Sequence, residues 1–377
     1  MILADDFTGA SDSAAPFGVG REVLLVLSAT VSPWLWDRGG VDVLAVDLDL
    51  RECPDPVAQA KTEGVARQLG STFPDARVFL KIDSTLRGPI AGLVAGALAG
   101  SGKDVAVIAP AFPEQGRFLH DGRVVVNGEA GTSLPVLLGS LGTALVGAEF
   151  AGSAEQVAQA VEHARVLGAR RVVVDADSSE CLRSVAAAWR QHEDWLLVGS
   201  GGLSRQVARS GVSGQVPELP GVTGVVLVIA GSPTSVTAAQ IEHLRGIGTI
   251  VSLRAEAPPP RLPASARAVL VLCTPTTSER DAGQSAQAIA DTVAEWSGSV
   301  LPEAVVLAGG ATARKVCERL GAAGVRFLGE LSPGVPVGRL VGGVWDRVLV
   351  VTKAGGFGKP TTLLDVVRSV GVLSTEP

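Results

Sequence analysis

Short apolar runs alternate along the chain with stretches of helical spacing. The runs are rich in β-branched residues and predict strands over Glu22–Ser28, Val43–Asp47, Arg77–Asp83, Val105–Pro110, Arg171–Asp175, Trp195–Gly199, Val225–Ala230, Thr249–Leu253, Ala268–Cys273, Ala304–Leu307 and Val348–Val351. Helices are predicted over Pro56–Leu69, Pro89–Leu98, Ala154–Leu167, Glu180–Gln191, Thr234–Leu244, Ser278–Trp296, Ala311–Leu320 and Thr361–Ser369. Strands that are apolar throughout are typical of parallel sheets covered on both faces. We therefore expect an α/β fold with mostly parallel sheets.

A stretch dense in glycine and proline divides the chain. Six residues of Gly211–Gly224 are glycine or proline and nothing there is periodic, which is typical of a linker. We predict one α/β domain over residues 1–210 and another over 222–377, with an active-site cleft between them. The run Pro258–Pro263 is a second candidate boundary. A domain ending there would be very small, so this run more simply joins two strands of one domain.

Composition excludes several classes of protein. The 377 residues are 46% apolar and 19% charged, which excludes intrinsic disorder. No apolar run approaches the ~20 residues that span a bilayer, so a membrane protein is not expected. The net charge of −6 without a basic cluster argues against nucleic acid as a partner. The segment Met1–Asp6 lacks a basic region, so we expect no signal peptide and a cytoplasmic location.

Residues that bind metals or carry redox chemistry are scattered, at Cys53, Cys181, Cys273 and Cys317 and at His120, His163, His192 and His243. Their spacing matches neither a zinc knuckle nor a redox pair, and we predict no metal site made by the protein itself. The sequence also lacks the phosphate loop, the dinucleotide fingerprint, the nucleophile elbow and the H-E-x-x-H motif. These signatures therefore do not identify its chemistry.

The first polar cluster stands near the N-terminus. Asp5 and Asp6 follow a short apolar start, and Thr8 and Gly9 open a stretch that could continue as a helix. Paired carboxylates at a strand end could hold a hydroxylated substrate, act as a general base or bind a cation. The alternative is a helix cap with solvated acids.

Two further clusters follow strands of the first half. Lys81 and Asp83 alternate on one strand face, and Ser84, Thr85 and Arg87 fall in the turn that follows. A cation beside hydroxyls suits an anionic, sugar-like substrate; the alternative is a capped turn with a surface ion pair. After the next strand, Arg117 could bind the same anion, or its segment could be a rigid proline loop.

Three glycine-rich loops in the second half stand where strands give way to helices, at Ala230–Ser235, Leu307–Ala313 and Thr352–Lys359. Backbone amides at a helix N-terminus suit phosphate, and three such loops favour a nucleotide site. The candidate residues are Ser232, Ser235, Gly309, Gly310, Thr312, Lys353, Gly355, Gly356 and Gly358. The stretch Ser332–Gly338 could be a lid or a pair of turns.

Taken in order, these motifs resemble the four-carbon acid sugar kinases, which include 3-oxo-tetronate, threonate and erythronate kinases. The resemblance covers nearly the whole chain and rests on Ala4–Ala10, Lys81–Gly88, Pro110–Arg117, Gly231–Ser232, Gly309–Gly310 and Thr352–Gly358. It implies that the N-terminal domain binds the sugar acid and the C-terminal domain binds ATP. By motif, the substrate side takes Asp5, Asp6, Lys81, Asp83, Ser84 and Arg87, and the ATP side takes Ser232, Ser235, Gly309, Gly310, Gly355 and Gly356.

The reaction expected from the resemblance is phosphorylation of the acid's terminal hydroxyl. Asp5 or Asp6 would orient or deprotonate that hydroxyl, and Arg87 and Lys81 would hold the carboxylate unless one of them faces the transferred phosphoryl. Thr8, Asp83, Ser84, Thr85 and Arg117 complete the predicted substrate site. Mg²⁺ would be held mainly by ATP and water.

Two features depart from the family pattern: the first strand is short, and Ala354 stands where relatives often have serine. Two other functions therefore stay open. One is an aldolase, isomerase or lyase acting on a sugar acid, and the other is an inactive relative that only binds ligand. The expected partners are the sugar acid and ATP, and the apolar composition weakly favours a homodimer.

Overall fold

The computed structural model describes residues 1–27, 40–209, 217–219, 221–231, 234–245, 250–254, 268–274 and 282–371. The strands are, in chain order, β1 Ile2–Ala4, β2 Val23–Val26, β3 Val43–Asp47, β4 Phe79–Lys81, β5 Val105–Ala109, β6 Arg117–His120, β7 Arg123–Val126, β8 Glu129–Ser133, β9 Thr143–Val146, β10 Arg171–Val174, β11 Trp195–Gly199, β12 Val225–Ala230, β13 Ile250–Arg254, β14 Ala268–Cys273, β15 Ala304–Ala308, β16 Gly324–Ser332, β17 Val335–Val341 and β18 Leu349–Lys353.

The helices are α1 Phe7–Ala14, α2 Asp55–Thr72, α3 Ile90–Ser101, α4 Leu134–Leu138, α5 Ala154–Val166, α6 Ser179–Trp189, α7 Gly201–Ala208, α8 Ser235–Arg245, α9 Ala282–Trp296, α10 Gly310–Arg319 and α11 Thr362–Ser369. Among the described residues, no helix is both long and apolar enough to cross a membrane. Strands and helices divide between two compact units, and the predicted α/β class with mostly parallel strands is confirmed.

The first unit comprises Met1–Pro16 and Val43–Ser213. Its sheet has the strand order β3-β1-β4-β11-β5-β10-β9, and every pair is parallel. All five residues of β5 are fully buried, as a parallel sheet between helices requires. A separate antiparallel sheet, β6-β7-β8, interrupts the alternation after β5. The sequence pattern did not predict this small sheet.

The second unit comprises Phe17–Asp42 and Gly214–Pro377. Strands β13-β14-β12-β15-β18 are parallel, and β17, β16 and β2 extend the sheet in antiparallel fashion. Because β2 pairs with β16, the segment Phe17–Asp42 groups with the second unit by its contacts. The boundary predicted near residue 211 would leave this segment in the first domain. The stretch Ser332–Gly338 includes the tight turn between β16 and β17, with Gly334 at a φ of +80°.

Helices α2 and α3 pack so closely that glycine is required on one of them. A Cβ added to Gly92 would lie 2.2 Å from the carbonyl oxygen of Asp55, and one added to Gly96 would lie 2.3 Å from that of Gln59. On the facing helix, a Cβ at Gly64 would have no described heavy atom within 4 Å. The close packing therefore depends on the glycines of α3, which have no side chain, and not on Gly64 of α2.

Alanine should have opposite effects at two of these helical glycines. Gly96→Ala is expected to destabilise the protein by about 1–3 kcal/mol, because its methyl group would push α2 and α3 apart. Gly64→Ala should stabilise it by roughly 0.5–1 kcal/mol, because alanine favours helix and meets no neighbour. Urea unfolding of both variants checks this, and a shift of both in the same direction would contradict the close packing.

Candidate functional site

Two predicted polar clusters meet at one edge of the first sheet. β1 and β4 are parallel neighbours, with Ala4 opposite Lys81. Asp5 and Asp6 leave the end of β1, and Asp83 follows Lys81 at the end of β4. The carboxyl ends of parallel strands are where open α/β sheets bind their ligands. The fold therefore brings together residues almost eighty positions apart in the chain.

Asp6 caps helix α1, as the helix-cap alternative expected, but the two acids are not both solvated, since Asp5 is fully buried. The Asp6 side chain accepts a hydrogen bond of 2.8 Å from the backbone N–H of Gly9. A Cβ on Gly9 would lie 2.5 Å from Asp6 Oδ1 and 2.7 Å from Lys81 Nζ. The missing side chain therefore lets an ammonium group reach the first turn of α1. Thr8 lies half-buried in the same turn.

Arg51, which the sequence analysis missed, ties the carboxylates together. Its Nε donates to Asp5 Oδ2 at 2.8 Å, and Nη1 and Nη2 donate to the two oxygens of Asp6 at 2.7 and 2.9 Å. Nη2 also lies 3.6 Å from Asp83 Oδ1. Arg51 follows β3, the other neighbour of β1, so the same strand-end rule would have found it once that pairing was known.

The buried carboxylates differ in their affinity for a proton. Burial raises the pKa of Asp5 above its usual range, against the charges of Lys81 and Arg51. Burial also disfavours the charge on Asp83, but the hydrogen bond from Arg87 and the charge of Arg51 hold its pKa far below the usual range. Asp5 Oδ1 has no hydrogen-bond partner among the described residues. Asp83 is thus firmly ionised, whereas Asp5 keeps an unused acceptor.

The cationic side chains near these carboxylates also differ in how many hydrogen-bond donors they leave unused. Arg87 is bound to Asp83 through Nε at 3.1 Å and Nη2 at 2.9 Å. The Arg117 guanidinium donates only to the Ser84 hydroxyl among the described residues, and burial lowers its pKa. Lys81 is buried, and its ammonium group makes no hydrogen bond or ion pair with any described residue. Lys81 and Arg117 therefore keep donors for an anion.

The turn after β4 is held by its own side chains. The Asp83 carboxylate accepts hydrogen bonds from the backbone and the hydroxyl of Thr85 and from the backbone of Arg87. Ser84 is buried and accepts from Arg117. The expected capped turn with an ion pair is present, and it serves to place the Ser84 hydroxyl.

In the second unit, α8 fixes one of the three glycine-rich loops. Thr237 Oγ1 donates to the carbonyl of Gly355 at 2.8 Å. Gln240 Nε2 donates to the carbonyls of Phe357 and Lys359 at 3.1 and 2.8 Å. β12, β15 and β18 are parallel neighbours, so the loops that follow them share one edge of the sheet. With the carbonyls held by α8, the glycine-rich loop keeps a defined backbone shape.

The start of α10 is open to an anion. Gly309, at a φ of +108°, precedes the helix, and no described side chain caps it, so the first amides of Gly310 and its neighbours keep their donors. Behind them Thr312 is buried, and a Cβ on Gly231 would lie 2.2 Å from its Oγ1. These residues fit a phosphate group.

Lys353 ends β18 in a buried position. Burial lowers its pKa to about 8. Its ammonium lies 3.4 Å from the carbonyl oxygen of Gly355, which is a weak contact for a buried charge. Gly356 and Gly358 are exposed in the loop that follows, and Ser235 is exposed in the first turn of α8. Ser232 lies outside the described residues. No described group of three or more His, Cys, Asp or Glu side chains could hold a metal ion.

Comparison with known proteins matches the two halves of the chain to two described domain families. Residues 1–139 match a family described as a sugar-binding N-terminal domain, and residues 227–363 match one described as a nucleotide-binding C-terminal domain. The fold and these matches define a two-domain protein with a sugar-binding and a nucleotide-binding half. The chain belongs to the four-carbon acid sugar kinase family.

Relatives of known activity match along their whole length. The chain is 30% identical to the D-threonate kinase of Bordetella bronchiseptica, over 98% of this chain and 96% of that protein. It is 26% identical to the 3-oxo-tetronate kinase of Cupriavidus necator, over 98% and 96%. The crystal structure of Haemophilus influenzae protein HI1011 has the same fold, with a TM-score of 0.76 and 23% identity over 97% of this chain and 99% of that one. The family resemblance drawn from the motifs is therefore confirmed.

Removing Arg51 should destabilise the first unit strongly. Arg51→Gln leaves the Asp5 and Asp83 carboxylates buried without their shared cation, and the expected loss is about 3–5 kcal/mol. Arg51→Lys should recover part of it, because a single ammonium replaces the charge but not the forked donors. Arg67 pairs with Glu63 on the surface of α2, so Arg67→Gln should cost about 0.5 kcal/mol or less. Equal unfolding midpoints for Arg51→Gln and Arg67→Gln would contradict this view of Arg51.

Proposed function

We propose that the protein transfers the γ-phosphoryl group of ATP to the terminal hydroxyl of a four-carbon sugar acid of the threonate, erythronate or 3-oxo-tetronate type. The observation that carries the proposal is two cations with free donors: Lys81, whose ammonium lies with the Asp6 carboxylate around Gly9, and Arg117, which donates to Ser84. A sugar acid offers an anionic carboxylate to the two cations and a hydroxyl group to the Asp6 carboxylate. Full-length similarity to kinases of four-carbon acids supports the choice of substrate class.

The acid's carboxylate is assigned to Arg117, with Lys81 beside it or toward the transferred phosphoryl. Arg87, expected from the motif to hold the carboxylate, is engaged with Asp83 in this structure. Its proposed part is therefore to keep the turn that carries Ser84 and Thr85 in place. The Ser84 hydroxyl and the half-buried Thr8 are suited to the hydroxyls of the substrate.

Asp6 is the better candidate to orient and deprotonate the acceptor hydroxyl. A carboxylate offers about four acceptor positions, and Gly9 and Arg51 use three of those on Asp6. The Asp6 side chain is partly exposed, whereas that of Asp5 is fully buried. The remaining position on Asp6 can thus accept the substrate's proton. Asp5 has an indirect part in this proposal: it pairs with Arg51, which in turn holds Asp6.

The second unit is assigned to the nucleotide. The amides at the start of α10, the loop through Gly355, Gly356 and Gly358, and the Lys353 ammonium would hold its phosphates. Backbone amides provide most of these contacts, so Ala354 in place of serine is compatible with binding. Mg²⁺ bound with ATP would neutralise phosphate charge, and we expect phosphate oxygens and water to be its ligands.

A substrate panel with an isosteric variant tests the reaction. ADP release from Mg·ATP should depend on an added D- or L-threonate, D- or L-erythronate or 3-oxo acid, with one acid clearly best. Asp6→Asn should lower kcat by about 10²–10⁴ with a much smaller change in KM, because it removes the proton acceptor but not the anion site.

The exposed Asp75 supplies the control, since Asp75→Asn removes a carboxylate on the surface and should leave kcat unchanged. Full kcat in Asp6→Asn would remove Asp6 from the base role. Turnover of a sugar acid without ATP would instead favour a lyase, aldolase or isomerase. Ligand binding without any turnover would favour an inactive relative.

Nucleotide affinity should fall as the pH rises through about 8. Above its pKa, Lys353 loses its proton and its charge, and phosphate binding weakens. The dissociation constant of a non-hydrolysable ATP analogue, measured calorimetrically, should therefore be several-fold higher at pH 9 than at pH 7. Lys353→Arg keeps the charge over this range and should flatten the dependence. The same dependence in both proteins would exclude Lys353 as its source.

A further inference from the structure

Arg117, the proposed donor for the acid's carboxylate, is bound to Phe112 through the backbone. The N–H of Phe112 donates to the carbonyl oxygen of Arg117 at 2.7 Å, and the N–H of Arg117 donates to that of Phe112 at 3.1 Å. Residues 113–116 therefore form a loop that is closed at its base. Whatever fixes Phe112 also fixes the backbone of Arg117.

The start of helix α7 packs directly against Phe112. A Cβ on Gly202 would lie 2.9 Å from Phe112 Cα, and one on Gly201 would lie 2.9 Å from the ring atom Cε1. Ser200, which caps the helix, donates from its hydroxyl to the carbonyl oxygen of Ala111 at 2.9 Å. Helix α7 therefore touches both the backbone and the ring of Phe112.

Arg205, one turn further along α7, lies over the Phe112 ring. Its guanidinium carbon is 5.6 Å from the centre of the ring. A guanidinium at this distance is attracted to the face of an aromatic ring, more strongly where water is excluded. The Arg205 side chain is 12% exposed and the Phe112 residue is buried. The contact is therefore largely dry and adds to the packing that holds Phe112.

Asp12 of helix α1 holds Arg205 in that position. Its Oδ1 accepts a hydrogen bond of 2.7 Å from Arg205 Nη2. Because both side chains are largely shielded from water, this charge-assisted hydrogen bond holds its geometry better than an exposed ion pair does. Asp12 Oδ2 lies against the start of α7, since a Cβ on Gly201 would be 2.3 Å from it. The ion pair therefore joins α1 to α7 beside Phe112.

The charge of Asp12 also acts on Arg117. Burial lowers the pKa of Arg117, and the negative charges of Asp83 and Asp12 oppose that effect. Asp12 nevertheless takes none of the Arg117 donors, because its hydrogen bond within the described residues is with Arg205. Asp12 therefore favours the charged form of Arg117 and leaves its donors to a ligand.

We propose that Asp12 and Arg205 are positioning residues that fix Arg117 relative to Asp6 and thereby set the length of the sugar acid that the site accepts. Asp6 caps α1 and Asp12 lies within the same helix, so the ion pair connects the acceptor of the hydroxyl proton with the donor for the carboxylate. An acid with one carbon fewer or more would not reach both groups. This inference rests on the proposed function, which assigns the terminal hydroxyl to Asp6 and the carboxylate to Arg117.

Steady-state kinetics of two variants with opposite changes of charge test the pair. Arg205→Met and Asp12→Ala should each raise KM for the best four-carbon acid about 10-fold, with kcat changed less than about three-fold and KM for ATP unchanged. Each should also lower the preference for that acid over glycerate and over a five-carbon aldonate about 10-fold. A purely electrostatic effect on the anion would instead raise KM in Arg205→Met and lower it in Asp12→Ala.

A conservative variant and a distant ion pair supply the controls. Arg205→Lys keeps the charge but not the planar fork, and it should recover part of the lost affinity and preference. Arg165 pairs with Asp104 and Asp194, which directly precede β5 and β11 at the opposite end of the sheet. Arg165→Met should therefore leave both KM and the preference unchanged.

Hydrogen exchange separates this inference from the proposed function. The amides of Phe112 and Arg117 should exchange faster in Arg205→Met, in a protein that still melts cooperatively, whether or not a sugar acid is phosphorylated. Unchanged exchange at these two amides would overturn the positioning role, as would an unchanged KM and preference in both folded variants. If the unmodified protein turns over no sugar acid, the proposed function fails, and the exchange rates alone decide whether the pair positions Arg117.

Discussion

The first unit depends on one shared cation. Arg51 joins carboxylates that leave two neighbouring strands, and it does so in a region from which most water is excluded. Without such a cation, the negative charges at the ends of β1 and β4 would repel each other and resist burial. The forked guanidinium donates three hydrogen bonds to Asp5 and Asp6 in one fixed plane, a geometry that the single ammonium of a lysine cannot reproduce. The geometry of the sugar-binding half therefore follows from this ion-pair group more than from any single loop.

The second unit matches a nucleotide-binding family although it lacks a dedicated phosphate-loop sequence. Three strand ends converge, and side chains of α8 hold the carbonyl groups of the loop after β18. The start of α10 lacks a side-chain cap among the described residues, which leaves its amides available. An anion site can thus be built from backbone groups that several short motifs fix in place. This explains why each motif alone was weakly informative and the ordered set was not.

The sequence could predict the part of the site at the strand ends, because a polar residue directly after an apolar run can be recognised without knowing the fold. Asp5, Lys81 and Asp83 were found in this way. Arg51 was missed because its importance depends on the pairing of β1 with β3, which no local pattern reveals. The β6-β7-β8 sheet was missed for a related reason: β8 is polar and almost wholly exposed, so it lacks the apolar run that marked the other strands.

The charges of the candidate site in the first unit have a consequence for the proposed reaction. With their carboxylates ionised, Asp5, Asp6 and Asp83 are opposed by Arg51, Lys81, Arg87 and Arg117, which leaves a single surplus positive charge. In the proposed reaction a monoanionic acid neutralises that surplus, whereas its phosphate ester brings roughly two further negative charges at neutral pH. In that reaction these seven side chains and the substrate would together be electroneutral, whereas with the product they would be strongly anionic. Electrostatic repulsion then favours departure of the ester and disfavours inhibition by accumulated product.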